Sequence, residues 1–364
     1  MEILYKKIAQ DIKEHIQSGR LKPDEKIPTE NELSMDYGVS RITSKKALNI
    51  LQEEGLIYRV RGSGSFVKKQ KHPQHSPYEQ GTIAVVLPFK EDDTYHGTTL
   101  SAIHSISKQV MKKGYHTTLL FSDHDTHKQN EILDKLYDDN YVGAIIYPIK
   151  TSYNESIYRL YAKHFPMVMM SNAIDRLDIP SATVDNVQGS YLATKHLINQ
   201  GHHHILFLSY QHAEDNNSIS DRYLGYLHAL HEADIASNNI LYFTDLHAED
   251  QLNSKGLISI IREKGFTGIV CVNDETASAF IRYGRQHDFI CPKEYSIVGF
   301  DNLSLCQHTY PPLTTIQQDY GKLGEKAADL LIECIERGVT SLPSCVLEVT
   351  LVERESTQSI VQDE

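Results

Sequence analysis

Seven short apolar runs recur behind residue 80 of this 364-residue chain: TIAVVL (82–87), HTTLLF (116–121), GAIIYP (143–148), MVMMS (167–171), HILFLS (204–209), GIVCV (268–272) and YSIVGF (295–300). Strands this apolar are expected to be buried on both faces. Helical stretches between them imply an α/β class with doubly wound parallel sheets. Seven or more such units predict two sheets, hence two lobes. In such folds ligands settle in the cleft outside the carboxyl ends of the strands. Asn273 and Asp274 follow GIVCV, Asp301 and Asn302 follow YSIVGF, and Ser171 and Asn172 close MVMMS. Carboxylates and amides so placed can accept from and donate to adjacent hydroxyls, as a polyol or sugar requires. Arg222, opening RYLGYLHALHEA, can donate two parallel bonds to neighbouring oxygens. Any of these could instead cap a helix; capping is the expected role of Asp274 and Asp185, ligand contact that of Asn273 and Asp301.

Ahead of the runs the pattern differs. Leu4, Ile8, Ile12 and Ile16 recur every four residues as one face of a helix. Thr29 with Glu32 forms a capping-box pair for a short second helix, Gly38 supplies a turn, and Ser40 can cap a third helix reaching about Glu54. In that helix Ser44, Ala47, Leu48 and Leu51 gather on one side, while Ile42, Lys45, Lys46 and Asn49 point away. LIYRV and SFVKK then alternate as strands around Arg61-Gly62-Ser63-Gly64. Two helices joined by a turn, with a basic outer face and a following hairpin, describe a winged helix-turn-helix. Arg41 at the start of the third helix can bond guanine O6 and N7, Thr43 is short enough for a phosphate or base contact, and Ile42 can touch a thymine methyl. Lys45 and Lys46 suit phosphate, since an ammonium lacks a planar fork. Gly62 and Gly64 allow close approach of the hairpin backbone to a duplex, and Arg61 can enter a minor groove.

A charged helix face alone is usually just solvated. Here the charge distribution adds weight: residues 1–80 carry 14 Lys and Arg against 11 Asp and Glu, whereas the remainder carries 22 against 37, in a chain of net charge −12. Only the first part can meet double-stranded DNA. The body, at −15, is better suited to a neutral small molecule than to a phosphorylated one. The polar, proline-containing segment 68–81 reads as a linker, giving residues 1–68 as a DNA-binding domain, 69–80 as linker, 81–355 as an effector-binding and dimerisation domain, and 356–364 as a tail. Five cysteines without a CxxC pair suggest free thiols, and no run approaches the roughly 20 apolar residues of a membrane span. A cytoplasmic protein is expected.

An enzyme and a transport-type solute-binding protein are the rival classes. No GxSxG, Walker or HExxH pattern is present, and GSGSF lacks the following helix that a phosphate cradle needs. His202, His203 and His204 are consecutive, so alternate side chains oppose one another and cannot converge on a metal; a surface or capping role is expected, with no metal and no cofactor. The DNA-type head argues against a transport protein.

The stretch KIPTENELSMDYGVSRITSKKALNILQEEGLIYRVRGSGSFV resembles the DNA-binding domain of the GntR family. The resemblance implies that Glu30, Arg41, Thr43, Lys45 and the tip from Arg61 to Gly64 contact DNA. Ser44-Lys45 stands where that family usually has Val-Arg. VDNVQGSYLATKHLINQGHHHILFLS, DRYLGYLHAL, GIVCVNDETA, CPKEYSIVGFDN and YPPLTTIQQDYGKLGEKAADLLIE resemble the effector domain of LacI/GalR-type regulators, itself similar to periplasmic sugar-binding proteins. That likeness implies sugar contacts from Arg222, Asn273 and Asp301, with Gln318 and the loop residues Phe89, Asp92 and Asp93 as further candidates; Ser171 replaces a frequent aspartate. The two together resemble the arabinose-responsive AraR subgroup of repressors and imply a homodimer that reads a near-palindromic operator and is released by a small sugar, L-arabinose first among them.

Overall fold

The computed structural model describes residues 4–17, 20–22, 25–53, 56–60, 64–67, 80–90, 96–174, 176–212, 216–236, 240–242 and 251–360. The chain divides into two units, Met1–Pro77 and Tyr78–Glu364.

The smaller unit contains α1 (Leu4–Gln17), α2 (Glu30–Asp36), α3 (Arg41–Glu53) and an antiparallel hairpin of β1 (Ile57–Val60) and β2 (Gly64–Val67). Ile8 and Ile12 of α1, Leu33 of α2, and Ala47, Leu48 and Leu51 of α3 bury one core with Ile57 and Val67. The capping box forms as its residue types require: Thr29 N–H donates to Glu32 Oε2 at 2.6 Å, and Glu32 N–H returns a bond to Thr29 Oγ1 at 3.3 Å. Thr43 N–H donates to Ser40 Oγ at 3.2 Å, which starts α3. Ser44 is buried, while Ile42, Lys45, Lys46 and Asn49 are exposed, the division that the helical period predicts.

The larger unit is α/β with two six-stranded sheets. The first lobe holds β3 (Thr82–Leu87), α4 (His96–Lys112), β4 (His116–Phe121), α5 (Thr126–Leu136), β5 (Tyr141–Ile146), α6 (Glu155–Ala162), β6 (Met167–Met170) and β7 (Ser181–Val184). The chain then builds α7 (Asn186–Asn199), β8 (Ile205–Ser209), α8 (Asn217–Glu232), β9 (Ile240–Tyr242), α9 (Gln251–Glu263), β10 (Gly268–Cys271), α10 (Asp274–Gln286), β11 (Ser296–Asp301) and β12 (Thr314–Gln317) in the second lobe. It returns as α11 (Tyr320–Arg337), β13 (Cys345–Leu347) and β14 (Thr350–Val352). The sheet orders are β13-β7-β6-β5-β3-β4, all parallel, and β14-β12-β11-β10-β8-β9, parallel except where β14 runs against β12. Helix α7 packs on β10, β11 and β12, whereas α11 packs on β5, β6 and β7. The chain therefore crosses between lobes three times: after β7, after β12 and between β13 and β14. That leaves a cleft bounded by the carboxyl ends of both sheets.

Several expectations need correction. β4 is an edge strand rather than one buried on both faces: Leu119 and Phe121 are exposed. Ser356 is fully buried, its Oγ donating to Ile297 O at 2.6 Å and accepting from Thr314 N–H at 2.9 Å, and Ile360 N–H donates to Gln200 O. Residues 356–360 are thus stitched into the second lobe instead of forming a tail. His202 is 2% exposed rather than superficial, lying between Thr267 Oγ1 (3.0 Å) and Gln358 O (3.2 Å). Burial lowers its pKa, so it is held as a neutral imidazole.

Candidate functional sites

In the head, Glu30 accepts from Arg41 Nε at 3.2 Å and stands 3.9 Å from Arg59 Nη1. Glu30 is a carboxylate in a basic setting, and it fixes the base of the Arg41 side chain, which remains 70% exposed at the amino end of α3. Ile42 beside it is 80% exposed. Thr43 Oγ1 lies 2.8 Å from Ser40 Oγ, and Lys45 is exposed. Lys46 differs from Lys45, since its Nζ sits 4.2 Å from the centroid of the Tyr5 ring on α1, an arrangement that steadies the ammonium without neutralising it. Gly64 takes φ +118, a backbone conformation that L side chains rarely adopt, so glycine is already favoured within the head itself; a Cβ there would meet only the flexible end of Lys26. Lys26, bridged to Phe66 of the hairpin, adds a cation that the sequence reading did not single out. Arg61 and Gly62 lie outside the described residues.

In the body, residues at strand ends converge on a cavity of about 70 Å³ lined by Ser171, Arg222, Asn273, Asp301 and Gln318 from the predicted set. At about 10–15 Å³ per water, that is room for roughly five to seven waters, the scale of one sugar ring. Phe89 adjoins it indirectly, edge-on to Tyr147 at 5.6 Å between centroids, and Asp92 and Asp93 lie outside the described residues.

The anchor is Arg222 on α8, 9% exposed. Its Nε donates to Asn186 Oδ1 at 2.9 Å, its Nη1 to Val272 O at 2.5 Å, and its plane stacks 3.6 Å from the Phe300 centroid. Two of its edges are therefore committed to the protein. The corner that can serve a ligand is Nη2, which reaches Asp301 Oδ1 only at 3.5 Å, the limit of a hydrogen bond. Helix packing puts the arginine there. One turn further along α8, Gly225 abuts α7 so closely that a Cβ would fall 2.0 Å from Val187 O. Asn186, first residue of α7, follows the cap Asp185, whose Oδ1 accepts from Gln188 N–H at 2.8 Å.

Asp301 ends β11 with φ +120 and is 4% exposed. Burial raises its pKa, while Arg222 and the hydrogen bond from Gln318 Nε2 pull it back. Asn273 caps α10, its Oδ1 accepting from Thr276 N–H at 2.9 Å and from Thr276 Oγ1 at 2.6 Å. The cap is thus Asn273 and not Asp274, which instead lies fully buried beneath the site. The lobes meet at the start of α8: Ser218 Oγ donates to Asn172 Oδ1, and Thr151 Oγ1 donates to Asn217 Oδ1 at 2.8 Å.

Three tyrosines complete the lining, and none was among the predicted residues. Tyr147, Tyr210 and Tyr320 follow β5, β8 and β12, and burial raises all three phenols, Tyr147 to about 12. They are neutral donors at any physiological pH. For Tyr147 and Tyr210 the strand-end position was the available signal, the one that picked out Asn273 and Asp301, whereas Tyr320 opens α11 three residues past β12. A cleft presenting one carboxylate, one guanidinium corner, amides, hydroxyls and aromatic faces offers the donors and acceptors that a polyhydroxylated ring requires, and among the described residues its lining pairs no nucleophile with a base.

Comparison with known proteins agrees in both halves. Residues 4–67 match the bacterial regulatory proteins of the gntR family, and residues 194–357 match the periplasmic binding protein-like domain. The chain is 31% identical to the arabinose metabolism transcriptional repressor of Geobacillus stearothermophilus, covering 98% of each chain. It is 32% identical to the repressor of the same description from Halalkalibacterium halodurans, covering 98% of this chain and 97% of that one. Among solved structures, a periplasmic binding protein/LacI transcriptional regulator from Alkaliphilus metalliredigens complexed with D-xylulofuranose superposes with a TM-score of 0.62 at 26% identity, over 76% of this chain and 99% of that one. Relationship over nearly the whole length, together with a gntR head and a sugar-binding-type body, makes this chain a member of the family of arabinose metabolism transcriptional repressors, sugar-responsive regulators rather than enzymes.

Proposed function

We propose that the chain represses carbohydrate-utilisation genes by holding operator DNA through residues 1–68, and that it lets go when L-arabinose fills the cleft of residues 81–355. The observation that carries this reading is the buried Asp301 carboxylate, which accepts from the Gln318 amide and lies beside the Arg222 guanidinium corner, inside a ring-sized cavity. A carboxylate with a guanidinium corner beside it can take two adjacent hydroxyls as donor and acceptor, which fits a neutral pentose. The curated relatives are named for arabinose metabolism, and the Alkaliphilus neighbour holds a five-carbon ketose. A coupling of about 1–3 kcal/mol between sugar and DNA suffices to change operator affinity roughly 5- to 150-fold.

The proposed assembly is a homodimer. Leu100 and Met111 of α4 lie at helical spacing on a stripe with Ser107, which accepts from Thr117 of β4; Thr117, Leu119 and Phe121 share one side of that edge strand. The four apolar members are 39–61% exposed, a continuous patch that a second copy would cover. Five free thiols fit a reducing cytoplasm, and among the described residues no helix is long and apolar enough to cross a membrane.

Titration calorimetry of the full-length protein with L-arabinose, D-xylose, D-ribose and D-galactose, paired with anisotropy on a duplex selected from a random pool, tests the reading. L-arabinose is expected to bind most tightly and to release the duplex. Absence of heat with every neutral sugar, or tightening on DNA, contradicts it. A monomer in sedimentation would remove the dimer.

A further inference from the structure

Behind Asp301 lies a second carboxylate that cannot touch a ligand. Asp274, at the first turn of α10, has no exposed surface. Its Oδ2 accepts from Leu303 N–H at 2.8 Å, and its Oδ1 accepts from Thr315 Oγ1 at 2.5 Å. Gly299 on β11 leaves it room: a Cβ there would fall 2.2 Å from Asp274 Oδ1. Directly before Leu303 runs a strained turn. Asp301 takes φ +120 and Asn302 φ +53, conformations that non-glycine residues adopt only when their surroundings hold them. Asn302 is held in turn, its N–H 3.4 Å from Thr315 Oγ1 and its Oδ1 accepting from Arg354 Nη2 at 2.6 Å.

We propose that Asp274 is the positioning residue of the sugar site: by binding Leu303, which directly follows the Asp301–Asn302 turn, and Thr315 of the neighbouring β12, whose hydroxyl also meets Asn302 N–H, it keeps the Asp301 carboxylate in the cleft. The inference rests on Asp301 being a sugar contact, and it goes beyond that reading because Asp274 acts only through its neighbour. A buried carboxylate is a costly way to stabilise a fold, since burial and the nearby Asp301 charge both raise its pKa. A neutral amide or hydroxyl could satisfy one donor at less cost. The two Asp274 oxygens take one donor each, so a single side chain holds both the strand-end turn and β12.

The test uses full-length Asp274→Ala, Asp274→Asn and Thr315→Val, with L-arabinose as the ligand and amide hydrogen exchange read at residues 302 and 303. Asp274→Ala is expected to weaken L-arabinose at least 30-fold and to speed exchange at 302–303 at least tenfold. Asn, which keeps one acceptor, should recover part of both losses. Thr315→Val leaves the carboxylate and its Leu303 bond in place but also removes the acceptor of Asn302 N–H, so it is read at residue 303, where a smaller rise in exchange with a smaller loss of L-arabinose affinity is expected, and it guards against Asp274→Ala failing to fold. Selected-duplex affinity without sugar should stay within twofold for each folded variant. Unchanged exchange at residue 303 in Thr315→Val and Asp274→Asn overturns the proposal. So does faster exchange spread evenly over the body, because that is the mark of general destabilisation. If the wild type itself fails to bind L-arabinose, the functional reading fails, and the exchange data still decide the role of Asp274.

Discussion

The two arginines at the centre of the account are placed in opposite ways. Arg41 has one bond from Nε to Glu30 and a side chain 70% exposed; the Arg222 side chain is 10% exposed, bonded through Nε and Nη1, beside Asp301 through Nη2, and stacked on Phe300. An exposed cation meets a polyanion through long-range attraction and counterion release, so its contribution depends on salt. A desolvated cation and carboxylate feel one another in a low dielectric and depend on protonation instead. The head should therefore respond to ionic strength and the body to pH, and the two responses should be separable by mutation.

The strongest break comes in the body. Asp301→Ala strands the Arg222 corner and the Gln318 amide, and removing one partner of a buried hydrogen-bonded charge pair costs about 2–5 kcal/mol. Calorimetry should show sugar binding weakened beyond detection, with duplex affinity intact and release by sugar lost. Next is Arg41→Ala, for which loss of one guanine contact predicts about 1–3 kcal/mol and relaxed sequence choice. Anisotropy against matched and mismatched duplexes checks this, with unaltered sugar heats as the control. Both functions failing together in either folded variant would undo the separation.

These side chains differ in how readily sequence discloses them. β3, β5, β6, β8, β10 and β11 announce themselves because both faces are buried in apolar surroundings, leaving unbroken hydrophobic runs. β7 (SATV) and β12 (TTIQ) do not. Thr314 and Thr315 are fully buried with hydroxyls paired to the Arg354 N–H and the Asp274 carboxylate, partners 40 and 41 residues away, and no local pattern foretells such satisfaction. The site divides similarly. Asn273 and Asp301 stand out because a polar residue at the end of an apolar run requires an explanation, whereas Tyr147 reads as one more residue of GAIIYP. Arg222 was visible as a charge on a helix, but its commitment to Asn186 and Val272 depends on the α7–α8 approach at Gly225.

Smaller effects sharpen the comparison. Burial raises the pKa of Asp301, and on the proposed function ligand hydroxyls would donate to its ionised form. Sugar affinity should therefore hold at and above neutral pH and fall as pH drops through that raised value, by up to about tenfold per unit. Duplex affinity should change far less across the same window. A pH profile steeper for DNA than for sugar would reverse the assignment of the two regions. Smallest is Lys46→Ala: loss of one phosphate contact should lower the salt slope of duplex affinity by about 1, nearly uniformly across sequences. Slopes measured over a salt series check it, and loss of sequence preference would recast Lys46 as a base reader.

Coupling between exposed head and buried cleft is the central claim, and reciprocity tests it directly. The affinity of the full-length protein for L-arabinose is to be measured by calorimetry without DNA and again with saturating selected duplex. The account predicts weaker sugar binding on DNA by the factor, between about 5 and 150, by which sugar weakens duplex binding. Equal sugar affinities in the two titrations, with both ligands bound at once, would show two sites sharing a chain without linkage.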